Sequence, residues 1–193
     1  IFNNSSPIII LTQPQWLEVA HIYNLPINQI VISRRPGFDI TAGELATLRP
    51  PTWLTDTIIE TYLRLVERRS HSVYGLRVKV LSTFFYARLT KKGTTLAQMD
   101  KFIGCDYDIF AADLLLIPIH LPGHWCMVTV DMNQLKLRFF DSMASISGVS
   151  DEKIKLVEKI CDCLSQLYEH RKNRKPPTFT YSFPTGIPQQ GNG

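Results

Sequence analysis

The segment from His124 to Asp141 constrains this chain most, because its pattern leaves one compact way to fold it. Two β-rich stretches, His-Trp-Cys-Met-Val-Thr-Val and Leu-Lys-Leu-Arg-Phe-Phe, flank the polar run Asp131-Met132-Asn133-Gln134, which marks a hairpin turn. A loop of two residues (Met132-Asn133) or of four gives the same register: Val130 faces Leu135, Val128 faces Leu137, Cys126 faces Phe139 and His124 faces Asp141. Directly paired residues on antiparallel strands share a face, with Cβ atoms about 4.5–5.5 Å apart. The hairpin alone can therefore deliver a carboxylate to an imidazole. From spacing by itself the plainer reading, a surface histidine and a strand-end aspartate, stays open, and a bulge would shift the register.

A histidine that acts as a base on a nucleophile needs its other ring nitrogen held by an acceptor, which fixes the tautomer and stabilises the imidazolium. A thiol beside such a histidine is depressed in pKa and ready to attack. A His–Asp pair is thus the chemistry to look for around this hairpin.

The rest of the chain mixes helices and strands without a βαβ rhythm, which predicts an α+β fold in a length that suits one domain. A short helix is predicted over residues 15–23 after Pro14, and a helix start over 40–48, where Thr41 and Glu44 form a capping box. Beyond Trp53-Leu54-Thr55-Asp56 comes an amphipathic helix whose apolar face is Ile58, Ile59, Tyr62, Leu63, Leu65 and Val66, with Glu60, Arg64, Glu67 and Arg68 opposite. Residues 78–89 are buried, as strand or helix. The apolar run 114–119, ended by proline, reads as an internal strand. Residues 150–170 form the clearest helix, with Ile154, Val157, Ile160, Cys161, Leu164, Leu167 and Tyr168 on one face. Its acids open it and its bases close it, as the helix dipole prefers.

Composition excludes more than it selects. A net charge of +4 with a single dense basic run, residues 170–175, does not suit a nucleic-acid reader; that run is a solvated helix end or, alternatively, a localisation or polyanion patch. The longest apolar run is too short to span a bilayer. Cys105, Cys126, Cys161 and Cys163 match no metal spacing, so no metal is expected, and their sparse use suits reduced thiols in the nucleus or cytoplasm.

Several motifs, in order, resemble the Ulp1/SENP family of SUMO-specific cysteine proteases. They are Phe38-Asp39-Ile40, Leu45-x-x-Leu48 and Trp53-Leu54-Thr55-Asp56 (Thr55 replacing the usual Asn), then Ser82-Thr83-Phe84-Phe85-Tyr86 and Ile117-Pro118-Ile119-His120 with His124-Trp125. Phe140-Asp141-Ser142-Met143 follows, and the ending Pro188-Gln189-Gln190-x-Asn192-Gly193 is the most specific. The resemblance implies a papain-like fold of the Ulp1 type, a mixed sheet with flanking helices, over residues 37–193, with 1–36 an N-terminal extension packing on it.

It implies roles as well: His124 as general base, Asp141 as its orienting acid, and Gln190 as an oxyanion-hole donor, the kind of group whose loss costs roughly 10²–10³ in rate. Trp53 and Trp125 resemble the two indoles that close a tunnel over a Gly-Gly tail, though Trp53 could instead anchor the helix start. Asp56 is an N-cap, a contact to the ubiquitin-like partner, or both. His71 and His120 carry no catalytic role, and Cys126 is read as core.

In the family this ending runs into Ser-Asp-Cys-Gly, so the chain is expected to stop before its nucleophile, to lack the C-terminal part of the domain and to be inactive alone. The implied function is cleavage after the Gly-Gly terminus of SUMO; the alternative is a non-catalytic binding module for SUMO or a relative such as NEDD8. The implied partner is a ubiquitin-like protein and its conjugates, met by a monomer without cofactor, nucleic acid or membrane.

Overall fold

The structure, a computed structural model, describes residues 11–33, 39–104, 107–143 and 148–190. Phe38, Cys105, Asn192 and Gly193, all singled out above, lie outside the described residues. The chain divides into two compact units, Ile1–Ile58 and Ile59–Gly193.

In the first unit, α1 (Gln13–Tyr23) starts with Pro14 in its first turn and a Thr12–Gln15 capping box, so the helix expected over 15–23 forms slightly earlier. Strand β1 (Ile30–Ser33) pairs antiparallel with β2 (Asp39–Thr41), and Thr41 then caps α2 (Ala42–Ala46). The Thr41–Glu44 box is present: Thr41 Oγ1 accepts from Glu44 N, and Glu44 Oε2 accepts from Thr41 N at 2.8 Å. Helix α3 (Asp56–Tyr74) begins here, with Thr55 Oγ1 accepting from Ile58 N at 3.4 Å. Thr55 therefore does the capping, and Asp56 is the first helical residue instead of the cap.

The apolar face expected for α3 is only partly right. Ile58 and Leu63 are buried, whereas Tyr62 is 66% and Leu65 42% exposed. The reason is that the helix turns charged residues inward. Tyr107 donates its hydroxyl hydrogen to Glu67 Oε1 at 2.8 Å and accepts from Arg64 Nη1 and from Val80 N, while Glu60 accepts from Ser82 Oγ. A satisfied ionic cluster at the helix–strand contact outweighs the simple apolar stripe.

The second unit is built on one five-stranded sheet, β3 (Val78–Val80), β4 (Leu114–Leu121), β5 (His124–Asp131), β6 (Lys136–Phe140) and β7 (Thr180–Ser182), in that order. The sheet is mixed: β3–β4 and β6–β7 are parallel, and the two central pairings antiparallel. Each parallel pair needs a crossover, supplied by α4 (Phe85–Thr90) and α5 (Leu96–Ile103) before β4 and by α6 (Asp151–Lys172) before β7. The segment 78–89, open between strand and helix from its pattern, is both: β3 followed by α4. Strand β4 runs through Pro118 to Leu121; β3 reaches only Leu116, so the missing N–H of Pro118 falls beyond that pairing.

Alternate residues of the three long strands fill the core: Leu115, Ile117 and Ile119 from β4, Cys126, Val128 and Val130 from β5, Leu137 and Phe139 from β6. Helix α6 covers them with Leu156, Val157, Ile160, Cys163, Leu164 and Leu167, close to the face its sequence predicts. Ser150 caps its start, and Asn173, in the left-handed conformation, ends it.

The β5–β6 register differs from the expected one by two residues. Asp131 pairs with Lys136, Val130 with Leu137, and Val128 with Phe139. The loop is residues 132–135, because Leu135, apolar enough to pass for a strand residue, turns with φ +51°. Asp131 Oδ1 accepts from the N–H groups of Asn133 and Gln134 at 3.1 and 2.9 Å, a turn that the aspartate itself closes. A slip of two preserves the faces, so His124 and Asp141 remain on one side. We expect Asp131→Ala to destabilise the fold by about 1–2 kcal/mol in urea unfolding, through loss of these two bonds; an unchanged midpoint would mean the turn is set by packing alone.

Candidate active site

His124 owes its place to two turns. On its N-terminal side Pro122-Gly123 makes a two-residue connection between β4 and β5, with Gly123 at φ +68°, which only glycine adopts without strain. Leu121 pairs with His124, so the histidine is the first residue of β5. Along β5 it continues the inward series His124, Cys126, Val128, Val130, and along β6 Asp141 continues Leu137 and Phe139 just past the strand end. Two polar residues thus finish a hydrophobic face.

In the observed register Asp141 lies level with Cys126, and His124 reaches it diagonally. His124 Nε2 lies 2.7 Å from Asp141 Oδ1. Asp141 is 4% exposed, yet its charge is satisfied: Oδ1 also accepts from Met143 N at 2.8 Å, and Oδ2 accepts from Lys153 Nζ at 2.6 Å. Burial pushes the Asp141 carboxyl up, but Lys153, Met143 N–H and His124 together hold it below the ordinary carboxylate range. An ionised carboxylate can only accept, so the proton sits on His124 Nε2 and the Nδ1 lone pair is the one left to take a proton.

Cys126 is the thiol nearest this pair, and it is not poised to react. It is buried, and burial, with Asp141 beside it, pushes its pKa up to about 12. The core assignment made from the sequence holds. His124, Cys126 and Asp141 present their ligand atoms within 4.8 Å of one another. The Lys153 ammonium on the same carboxylate opposes a cation there, and the protonated thiol is a poor ligand.

Gln190 is brought to the same place by topology. Because β7 runs parallel to β6, the chain after it leaves at the end of the sheet where Asp141 lies, and Gln190 N donates to Ser142 O at 2.7 Å. Ser142 Oγ donates to Gln190 Oε1 at 3.3 Å, which engages the carbonyl end of the amide. A cavity of about 380 Å³ opens beside the pair, between Phe139, Phe183 and Ile187 on its apolar side and Asp141, Lys153 and Gln189.

Trp125 points to the sheet face opposite His124, and its indole packs on His120 with ring centroids 4.6 Å apart. His120, read only as a strand support, is therefore the floor under Trp125. Trp53 and Asp56 belong to the first unit, and Trp53 is 50% exposed. Lys153 was missed by sequence reasoning. The signal was there: it occupies the third position of α6, behind the Ser150 cap, where a capping box would place Glu and where the dipole disfavours a cation.

These features can be set beside known proteins. Residues 52–193 match the Ulp1 protease family, C-terminal catalytic domain. Sentrin-specific protease 2 of Rattus norvegicus is 32% identical over 191 residues, 95% of this chain and 30% of the relative, and a sentrin-specific protease of Caenorhabditis elegans is 41% identical over 109 residues, 55% of this chain and 15% of that protein. The chain thus spans less than a third of the length of these relatives. Among solved structures, the Ulp1 protease domain in complex with Smt3, the yeast ortholog of SUMO, superposes with a TM-score of 0.78 at 22% identity, over 97% of this chain and 80% of that one. The Ulp1-like SUMO protease catalytic domain of Chaetomium thermophilum gives a TM-score of 0.65 at 19% identity, over 81% and 66%. The likeness in structure shows a common α+β fold, and the match over residues 52–193 shows that this chain belongs to the Ulp1 protease family.

Proposed function

We propose that this chain supplies the base and the substrate clamp of a thiol isopeptidase that cleaves SUMO or a close ubiquitin-like protein after its Gly-Gly terminus. The observation that carries the reading is the buried His124–Asp141 pair at 2.7 Å in a chain of this family. His124 Nδ1 takes the proton of a cysteine thiol, and the thiolate attacks the glycine carbonyl. The oxyanion that forms meets the amide of Gln190, whose carbonyl end is occupied by Ser142. The imidazolium, held by Asp141, returns its proton to the departing amine, and water then releases the thioester.

In this reading Trp125 lines the path of the Gly-Gly tail, and Trp53 and Asp56 are each residues that meet the ubiquitin-like protein. That the solved Ulp1 domain is in complex with Smt3 supports the choice of partner. Residues 1–36 act as an N-terminal extension to the domain of residues 37–193. The protein works as a monomer in the nucleus or cytoplasm, where the free thiols Cys126, Cys161 and Cys163 stay reduced.

One observation favours a second reading, a module that grips SUMO or NEDD8 without cutting it: the thiol nearest the base, Cys126, is buried and held at a pKa of about 12. Residues 1–193 should not label with a SUMO-vinyl-sulfone probe, and Cys126 should resist iodoacetamide at pH 7.5 until the protein is unfolded. A version extended past Gly193 by the Ser-Asp-Cys-Gly segment and the rest of a family domain should label, with His124→Ala slowing it by at least a hundredfold. Failure of the extended version to label favours the binding module; labelling mapped to Cys126 overturns the assignment of the nucleophile.

The tunnel has its own test in that extended version. Trp125→Ala should lower the rate on Gly-Gly tails through lost positioning. It should also shrink the Gly-Gly to Ala-Gly rate ratio, because a wall that excludes a methyl group has been removed. An unchanged ratio would make Trp125 a packing residue only.

A further inference from the structure

Asp141 carries more of this site than a strand-end carboxylate usually can, and the question is what keeps its charge. Among the described residues four groups surround it: His124 and Cys126 from β5, the Met143 N–H from its own segment, and Lys153 from the first turn of α6. The sequence from Met143 to Gly148 contains no charged side chain, and Asp151 and Glu152 of the same helical turn are exposed. Of the described groups around the carboxylate, Lys153 is thus the permanent cation. Its side chain is 11% exposed, unusual for a lysine, and Nζ spans from Asp141 Oδ2 at 2.6 Å to Gly148 O at 2.8 Å.

We propose that Lys153 is a positioning residue of this site, acting through Asp141: its ammonium occupies Oδ2, keeps the carboxylate ionised in its buried position, and so holds the proton on His124 Nε2 and the lone pair on Nδ1. The inference rests on the reading of His124 as the base. It follows from what a buried carboxylate does without a counter-charge. Desolvation favours the neutral acid, and a proton taken up on the carboxyl makes it a donor. A donor facing Nε2 turns that nitrogen into an acceptor and moves the ring proton to Nδ1. The nitrogen that should receive the thiol proton would then already carry one. Lys153 prevents that inversion, which explains a cation at a helix position where the dipole opposes it.

Isotope-labelled residues 1–193, with the proton positions read by NMR between pH 4 and 8, test this without any activity. In the wild type and in Lys153→Arg, the His124 ring nitrogens should report the Nε2–H tautomer, and the Asp141 carboxyl carbon should titrate below the ordinary carboxylate range. In Lys153→Met the Asp141 midpoint should rise by at least one pH unit, a tenfold gain in proton affinity, and the Nδ1–H tautomer should become populated. Lys153→Gln carries the same test if the Met variant does not fold. An Asp141 midpoint and tautomer unchanged in the neutral variants overturn the proposal. Asp141→Ala separates the two ideas: if a hydrogen-bonded His124 Nε2–H resonance persists there, the His–Asp pairing itself fails; if that resonance is lost while Lys153→Met leaves the Asp141 midpoint and the tautomer unchanged, only the role of Lys153 falls.

Discussion

Everything at this site depends on burying one negative charge. A carboxylate at 4% exposure costs several kcal/mol unless its oxygens are occupied. Among the described residues the occupants come from three places: a side chain at the start of β5, a backbone N–H just past β6, and an ammonium from α6. None of the three is a neighbour of the others in sequence. The hairpin, the turn after it and the crossover helix must therefore all be in place before the charge is tolerated, and the same condition orients the imidazole. Folding of this corner and readiness for chemistry are one requirement.

The face of the sheet was legible because strand periodicity is strict. The inward series on β5 and β6 places His124 and Asp141 on one side under the expected register and under the observed one. What failed was the assignment of Leu135, whose apolar side chain packs at the edge of the core while its backbone takes the left-handed turn conformation. Hydrophobicity reports where a side chain goes, not which φ its residue adopts. Helix α3 failed for a related reason: an amphipathic stripe predicts burial only when the opposite face has no better use for its charges, and the Arg64–Glu67–Tyr107 cluster is such a use. By contrast, the face of α6 was read almost correctly, since most of that face packs on the apolar core.

The position of Gln190 could not have been read from periodicity, because it follows from the parallel placement of β7 beside β6. Only the resemblance of the Pro188-Gln189-Gln190 stretch pointed to it. Lys153 is the opposite case: no resemblance points to it, but a cation in the first turn of a helix that otherwise opens with acids breaks a local rule. The pairing of His120 with Trp125 needed the β4–β5 hairpin, which the Pro122-Gly123 dipeptide marks.

The two-residue parity of the hairpin has a consequence for how such a chain can vary. A slip of β6 against β5 by two residues keeps every side chain on its former face, and in one direction it sets Asp141 directly opposite His124. A one-residue slip of β6 against β5 would turn Leu137, Phe139 and Asp141 outward together, stripping the core and the site in a single step. Residues added within the loop leave the pairing intact, so it is the alternating hydrophobic pattern of the strands, and not the length of the loop, that guards the His124–Asp141 pair.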